Sequence, residues 1–308
     1  MQPIHPAAIA SFFGYTYRGN PAAVVTRVSA PEEQAEEILM WAKNESTLKK
    51  IRCGTVVIPP SIAGNVNDNV NVIITDENSR LCFSRILNEF FSQPQNELEN
   101  RVQEFSSRKD ITIGANCFIG SNVSIGEGSI IYPNVVIHSN TQIGKNCLVQ
   151  SNCTVGTSGL GYERLPDDTL FKFPQLGGVV IHDNVEIGPN TTIRKAAIGN
   201  TTIHEGVVVG GLCNIGHNSV IGKNSLLVTQ CVIGGSSVIG ENCYIGINAI
   251  IKNKVAVGSN CQIAMGAVVV KDVPEGRTYV GNPAEDIEEY KKWSALRKKL
   301  MSMYKDEL

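Results

Sequence analysis

The chain has 308 residues, of which 42% are apolar but only 6% aromatic, so its core must be built from small and branched side chains. At roughly 150 residues per domain the length suggests two domains. The 27 basic and 29 acidic residues leave a net charge of −2, which excludes a broad cationic surface for nucleic acid or anionic membrane.

Residues 1–107 read as a mixed α/β domain. Pro31 followed by Glu32, Glu33, Glu36 and Glu37 predicts a helix running to about Lys43, with acidic side chains against its N-terminal dipole. GTVVIPP (54–60) and VNVIIT (70–75) predict short strands. In SRLCFSRILNEFFSQ (79–93), Leu81, Ile86, Leu87, Phe90 and Phe91 recur at helical spacing. The first twenty residues lack the basic start and apolar run of a secretory signal, and no apolar run reaches transmembrane length. A cytoplasmic protein is expected, and the terminal Lys305-Asp306-Glu307-Leu308, which spells an endoplasmic-reticulum retention address, is expected to be coincidental.

From 108 to 280 the organisation changes. An aliphatic residue recurs every sixth position: Ile113, Ile119, Ile125, Ile131, Ile137, Ile143, Val149 and Val155, then Ile181, Ile187 and Ile193, then without a break from Ile203 to Val269. Two residues before each anchor stands a small or β-branched one, the period-two alternation of a strand with one face inward. Turns rich in Gly and Asn follow. Three such strands make a triangular coil of about 18 residues, and stacked coils make a β-solenoid too narrow for large rings. Seven cysteines (117, 147, 153, 213, 231, 243 and 261) fall in the small inward slot and are expected to be core, with 213/231 and 243/261 stacked one coil apart.

Two interruptions break the period. Twenty-six residues separate Val155 from Ile181, so residues 157–176 leave the prism as a loop carrying Tyr162, Phe171 and Phe173. These rings are expected to line a site, as long insertions on regular scaffolds usually do. Ten residues separate Ile193 from Ile203, across Arg194-Lys195-Ala196-Ala197, and should dent one face. After Gly281-Asn282-Pro283-Ala284, residues 281–308 read as one or two amphipathic helices whose basic run (Lys291, Lys292, Arg297, Lys298, Lys299) is a solvated face or a contact for phosphate or an acidic carrier protein.

The repeat resembles the left-handed parallel β-helix acyltransferases, which implies a mainly β fold: a hexapeptide-repeat prism with an N-terminal α/β domain and C-terminal helices. FKFPQLGGVVIHDNVEIGPNTTI (171–193), CNIGHNSVIG (213–222), LMWAKNESTLKKIRCGTVVIP (39–59) and FSRILNEFF (83–91) are similar to the enzymes that N-acylate UDP-3-O-acylglucosamine in lipid A synthesis. That resemblance implies that His217 is the general base taking a proton from the attacking amine, and that the Gly235 N–H, 18 residues on, stabilises the oxyanion. Substrate contacts are expected at Asn218, Tyr162, Phe171, Phe173, Gln175 and Asn44, with the α/β domain binding a nucleotide sugar. It further implies a homotrimer with sites at subunit interfaces. No permanent cofactor is expected. No metal site is expected either, because His138, His182, His204 and His217 share no 18-residue register.

Some stretches depart from the family. Asn44-Glu45-Ser46-Thr47 stands where the family has a uracil-stacking Asn-Pro-Lys-Tyr, Gly210-Gly211 where it has Asp-Asn, and Arg194-Lys195-Ala196 where it has Asp-Arg-Gly. Gly281-Asn282-Pro283-Ala284 looks more like the exit of coenzyme A-dependent sugar acetyltransferases. The leading expectation is therefore an N-acyltransferase that moves an acyl group, from acyl-CoA by preference, to the amino group of a nucleotide-linked sugar for cell-surface polysaccharide or lipopolysaccharide. The alternatives are the lipid A enzyme itself, with an acyl carrier protein as donor, and a non-catalytic β-helix binding scaffold.

Overall fold

A computed structural model describes residues 3–303 except 32, 65, 76–77, 93–97 and 106; the terminal Lys-Asp-Glu-Leu lies outside the described residues. The chain divides into two units, one of residues 1–93 with 161–176, the other of 94–160 with 177–308.

In the first unit, helix α1 (Pro6–Phe13) precedes a five-stranded sheet built from β1 (Thr16–Arg18), β2 (Arg27–Val28), β3 (Ile38–Trp41), β4 (Thr55–Ile58) and β5 (Asn71–Ile74), in the order β1-β5-β4-β3-β2. The two expected strands are β4 and β5. The helix expected from Pro31 to Lys43 does not form. Its apolar end, Ile38-Leu39-Met40-Trp41, is β3 instead, hydrogen-bonded in parallel to β2 and β4 with Ile38, Leu39 and Met40 fully buried. A run buried on both faces of a parallel sheet satisfies its backbone laterally, and this outweighs the helix-favouring glutamates before it. The short α2 (Glu45–Leu48) follows, and α3 (Ser79–Ile86) continues as a single π-type turn through Leu87–Phe91.

The inserted residues are not an irregular loop. Tyr162–Arg164 and Leu170–Lys172 pair as an antiparallel hairpin that belongs to this first unit. Its turn is set by Asp167, whose carboxylate accepts the Thr169 N–H and hydroxyl, and by Asp168 in the left-handed conformation.

The second unit is the prism. Its strands form three parallel sheets: face A starts at Phe118–Ile119, face B at Ser124–Ile125 and face C at Thr112–Ile113, and the chain visits them in the order C, A, B. Every anchor from Ile119 to Val269 is buried, and in-register pairs such as Ile215↔Ile233 stack identical positions. The small inward slot has a polar role beyond its size. Its Cys, Ser or Thr donates its S–H or O–H to a turn carbonyl of the next coil, as Cys147 to His182 O (3.1 Å), Cys231 to Gly246 O (3.1 Å) and Ser219 to Gly234 O (3.1 Å). The corners turn through a left-handed residue, usually Asn, whose side chains form ladders such as Asn242 Nδ2–H to Asn260 Oδ1 (3.4 Å).

Both ends of the prism are covered. At the N-terminal end, Asn100 Oδ1 accepts the Ile119 N–H, the Arg101 N–H donates to Ile119 O, and Arg108 Nη1 donates to Ile125 O. At the other end, Thr278–Val280 extends face C and Glu285–Asp286 closes it by antiparallel pairing. One helix, α4 (Ile287–Met303), completes the tail, and none of its residues is buried.

Candidate active site at one corner of the prism

Both interruptions fall at the corner between faces A and B. The chain leaves the prism after Val155 on face A and rejoins face B at Gly178–Ile181. The four extra residues after Ile193 lie at the same corner one coil on, and His217 and Gly235 at the same corner in the next two coils. A regular solenoid can accept additional residues only where a strand has ended, so the insertions and the unusual turn residues share one edge.

The register Ile215↔Ile233 places Gly235 directly over His217. A Cβ built on Gly235 would lie 2.7 Å from His217 Nε2, so only glycine leaves room for the half-buried imidazole. The backbone around Gly235 is arranged unevenly. The Gly234 N–H donates to Ile251 O and the Ser236 N–H to His217 O (2.7 Å), while the Gly235 N–H enters no hydrogen bond among the described residues. The ring nitrogen thus lies on the side of Gly235 where a side chain would be, on a residue whose own N–H is unengaged.

The tautomer of that ring follows from its neighbour. Asn218 Oδ1 accepts the Ala197 N–H (3.0 Å), and its Nδ2 donates to Ile198 O (2.9 Å). Because a backbone N–H only donates and a carbonyl only accepts, these two contacts fix which end of the amide is oxygen. His217 Nδ1 lies 3.1 Å from that oxygen and must donate to it, which leaves the lone pair on Nε2, the nitrogen facing Gly235. The Asn218 N–H donates to Thr201 Oγ1 (2.8 Å), which completes the anchorage. Asn218, expected to contact substrate, instead commits both ends of its amide to protein groups and orients the histidine. Ala197, the last of the four extra residues, and Ile198 just after it supply the groups that hold it, a role their sequence did not announce.

The remaining expected contacts, Asn44, Tyr162, Phe171, Phe173 and Gln175, belong to the first unit. Asn44 caps α2, its Oδ1 accepting the Thr47 N–H (3.0 Å) and the Ser46 hydroxyl (2.8 Å). Phe173 is only 5% exposed; its ring packs against Phe83, and the Arg80 guanidinium lies over it while pairing with Glu163. Gln175 is buried with its Nε2 bonded to Phe173 O (3.2 Å). Phe173 and Gln175 are therefore core of the first unit, and their burial corrects the expectation that they line a site. Phe171 is partly exposed, and Tyr162, at 44% exposure, keeps its ring available.

Elsewhere on the prism, His182 and His204 stack at 4.9 Å between ring centroids. They are 22 residues apart, so the four extra residues conceal a register that an 18-residue count misses. Among the described residues, no group of three or more His, Cys, Asp or Glu could hold a metal ion.

Stacked coils of six-residue repeats with an oriented imidazole lodged against a glycine at one corner define a hexapeptide-repeat β-solenoid protein. Residues 122–157 and 236–271 match the bacterial transferase hexapeptide family (six repeats). UDP-3-O-acylglucosamine N-acyltransferase of Fusobacterium nucleatum is 36% identical over 236 residues, covering 70% of each chain. The enzyme of that name from Thermosynechococcus vestitus is 45% identical over 76 residues, 25% of this chain and 22% of its own length, so the chain spans about a fifth of that relative. Among solved structures, Francisella novicida UDP-N-acetylglucosamine acyltransferase superposes with a TM-score of 0.51 at 27% identity, over 58% of this chain and 63% of that one. The chain belongs to the UDP-3-O-acylglucosamine N-acyltransferase family.

Proposed function

We propose that the protein transfers an acyl group from a thioester to the amino group of UDP-3-O-acylglucosamine, with an acyl carrier protein presenting the donor. The observation that carries the reaction class is the His217 Nε2 lone pair, fixed by Asn218 and lodged against Gly235, whose N–H is unengaged among the described residues. The names of the relatives favour this acceptor over the leading sequence expectation, an acyl-CoA-dependent enzyme of another nucleotide-linked amino sugar, which rests on the departures at 44–47, 194–196 and 210–211 and on Gly281-Asn282-Pro283-Ala284. The thioester is a co-substrate consumed in each turnover.

The amine nitrogen attacks the thioester carbonyl, forming the C–N bond and placing negative charge on oxygen, which the Gly235 N–H stabilises. His217 Nε2 removes the proton that the nitrogen must shed. Collapse breaks the C–S bond, and the imidazolium returns its proton to the departing thiolate, giving an amide and a free thiol. Replacing His217 by alanine is expected to lower turnover by about 10²–10⁴-fold with acceptor binding unchanged, followed as thiol release. An unaltered rate would remove His217 from the reaction. Wild-type protein that releases no thiol with any amino sugar nucleotide would sink the whole reading.

A homotrimer is part of the same proposal. Face C turns Val208, Leu226 and Tyr244 outward in adjacent coils, an exposed apolar column of the kind that packs against another copy. Light scattering should give three times the 33.3 kDa chain mass, and a monomer would overturn it.

A further inference from the structure

Arg194 ends the face A strand Thr192–Arg194, where the corner turn begins, one coil before His217. The pair Ile193↔Ile215 sets it beside Gly216, so its backbone lies about one strand spacing, about 4.8 Å, from the coil of the base. Its guanidinium is half-buried and anchored on one side only, with Nη1 donating to Ser158 O (3.0 Å), and among the described residues it has no carboxylate partner. The surrounding turns do not neutralise it. Residues 194–199, 216–218, 234–236 and 252–254 contain no Asp or Glu, and Lys252 and Lys254 add positive charge two coils beyond His217. The corner between faces B and C differs, carrying Asp183, Glu205 and Glu241 and pairing Lys223 with Glu205 (3.7 Å).

We infer that Arg194 binds a phosphate of the nucleotide-linked acceptor and so sets the acceptor's amine beside His217. The inference rests on the acyl-transfer reading and extends it to a residue at which this chain departs from its family's pattern. A guanidinium with one edge tethered presents its remaining N–H groups as a planar fork suited to phosphate oxygens. The reach identifies which substrate supplies the phosphate. In a sugar nucleotide the anomeric phosphate is only a few bonds from any ring amine, a span comparable to one coil. In a pantetheine thioester the phosphate is separated from the carbonyl by the whole length of the arm.

The test pairs kinetics with binding on the full-length protein. Arg194→Gln should raise the KM for UDP-3-O-acylglucosamine by about tenfold or more, with kcat within about twofold and the donor KM unchanged, while Arg194→Lys recovers part of the loss. Lys223→Gln, at the other corner, should leave the acceptor KM unaltered. Calorimetric titration with inorganic pyrophosphate and with UDP reads the anion contact even if turnover is never found: wild-type protein should bind both, and Arg194→Gln about tenfold more weakly. An unchanged acceptor KM, a change confined to the donor KM, or pyrophosphate binding that is absent or insensitive to Arg194 would each overturn the inference.

Discussion

At the scale of single residues, the prism repeats a few positions so regularly that exceptions identify themselves. The left-handed corner position is Asn at most coils, because asparagine tolerates that conformation better than other side chains with a Cβ. Leu212 occupies it with φ +60° and is 54% exposed, so it has strain without compensating burial. Leu212→Asn is expected to raise stability by about 0.5–2 kcal/mol, read from the urea midpoint at constant slope. A lower midpoint would mean that this leucine is covered in the assembled protein. The same logic separates Gly235 from the other glycines, since its missing Cβ is the space that His217 Nε2 occupies.

At the scale of elements, the strands were legible and their surroundings less so. A six-residue period in Ile and Val needs only the chain itself to be read, because each strand is specified by its own alternation and by a copy of itself in the next coil. The corner carrying the site was half legible. The resemblance singled out His217 and adding one coil led to Gly235, but the orienting role of Asn218 depends on backbone groups of 197 and 198, which no local pattern brings near. Phe173 was misplaced because a ring in an insertion can be core for another unit, and Arg80 and Phe83 are distant in sequence. The Pro166-Asp167-Asp168 turn did carry a hairpin signal that could have been used. β3 was misread because sheet neighbours, and not its own residues, decided its conformation. The inward thiols make a further expectation. Burial pushes the Cys153 thiol up to about 11, and donation of its S–H toward Cys213, together with burial, raises Cys231 as well. With every cysteine but Cys53 buried, a disulfide-exchange reagent should titrate at most one thiol in the native protein and all nine after denaturation. Rapid reaction of several thiols in the native protein would contradict the stacked core.

At the scale of the whole molecule, acid should act through the stacked histidines. Burial, then the neighbouring His182 and Lys223, hold His204 below the ordinary 6.5, with Glu241 opposing them. The unfolded chain therefore takes up a proton that the folded one resists, so stability is retained above about pH 6.5 and falls as the pH drops through that value until His204 itself titrates. His204→Gln should flatten this slope in melting temperatures measured between pH 7 and pH 5. An unchanged slope would assign acid sensitivity to other groups.

The covered ends of the prism have a consequence for how many molecules can join. Each coil is a template for the next, and a coil with open N–H and C=O groups would accept the coil of another molecule as readily as its own. Asn100, Arg101 and Arg108 at one end, and the antiparallel strand Glu285–Asp286 at the other, occupy those groups. A handful of contacts outside the repeat thus keeps the stack from continuing into a filament, leaving the flat sides as the surfaces through which copies can associate.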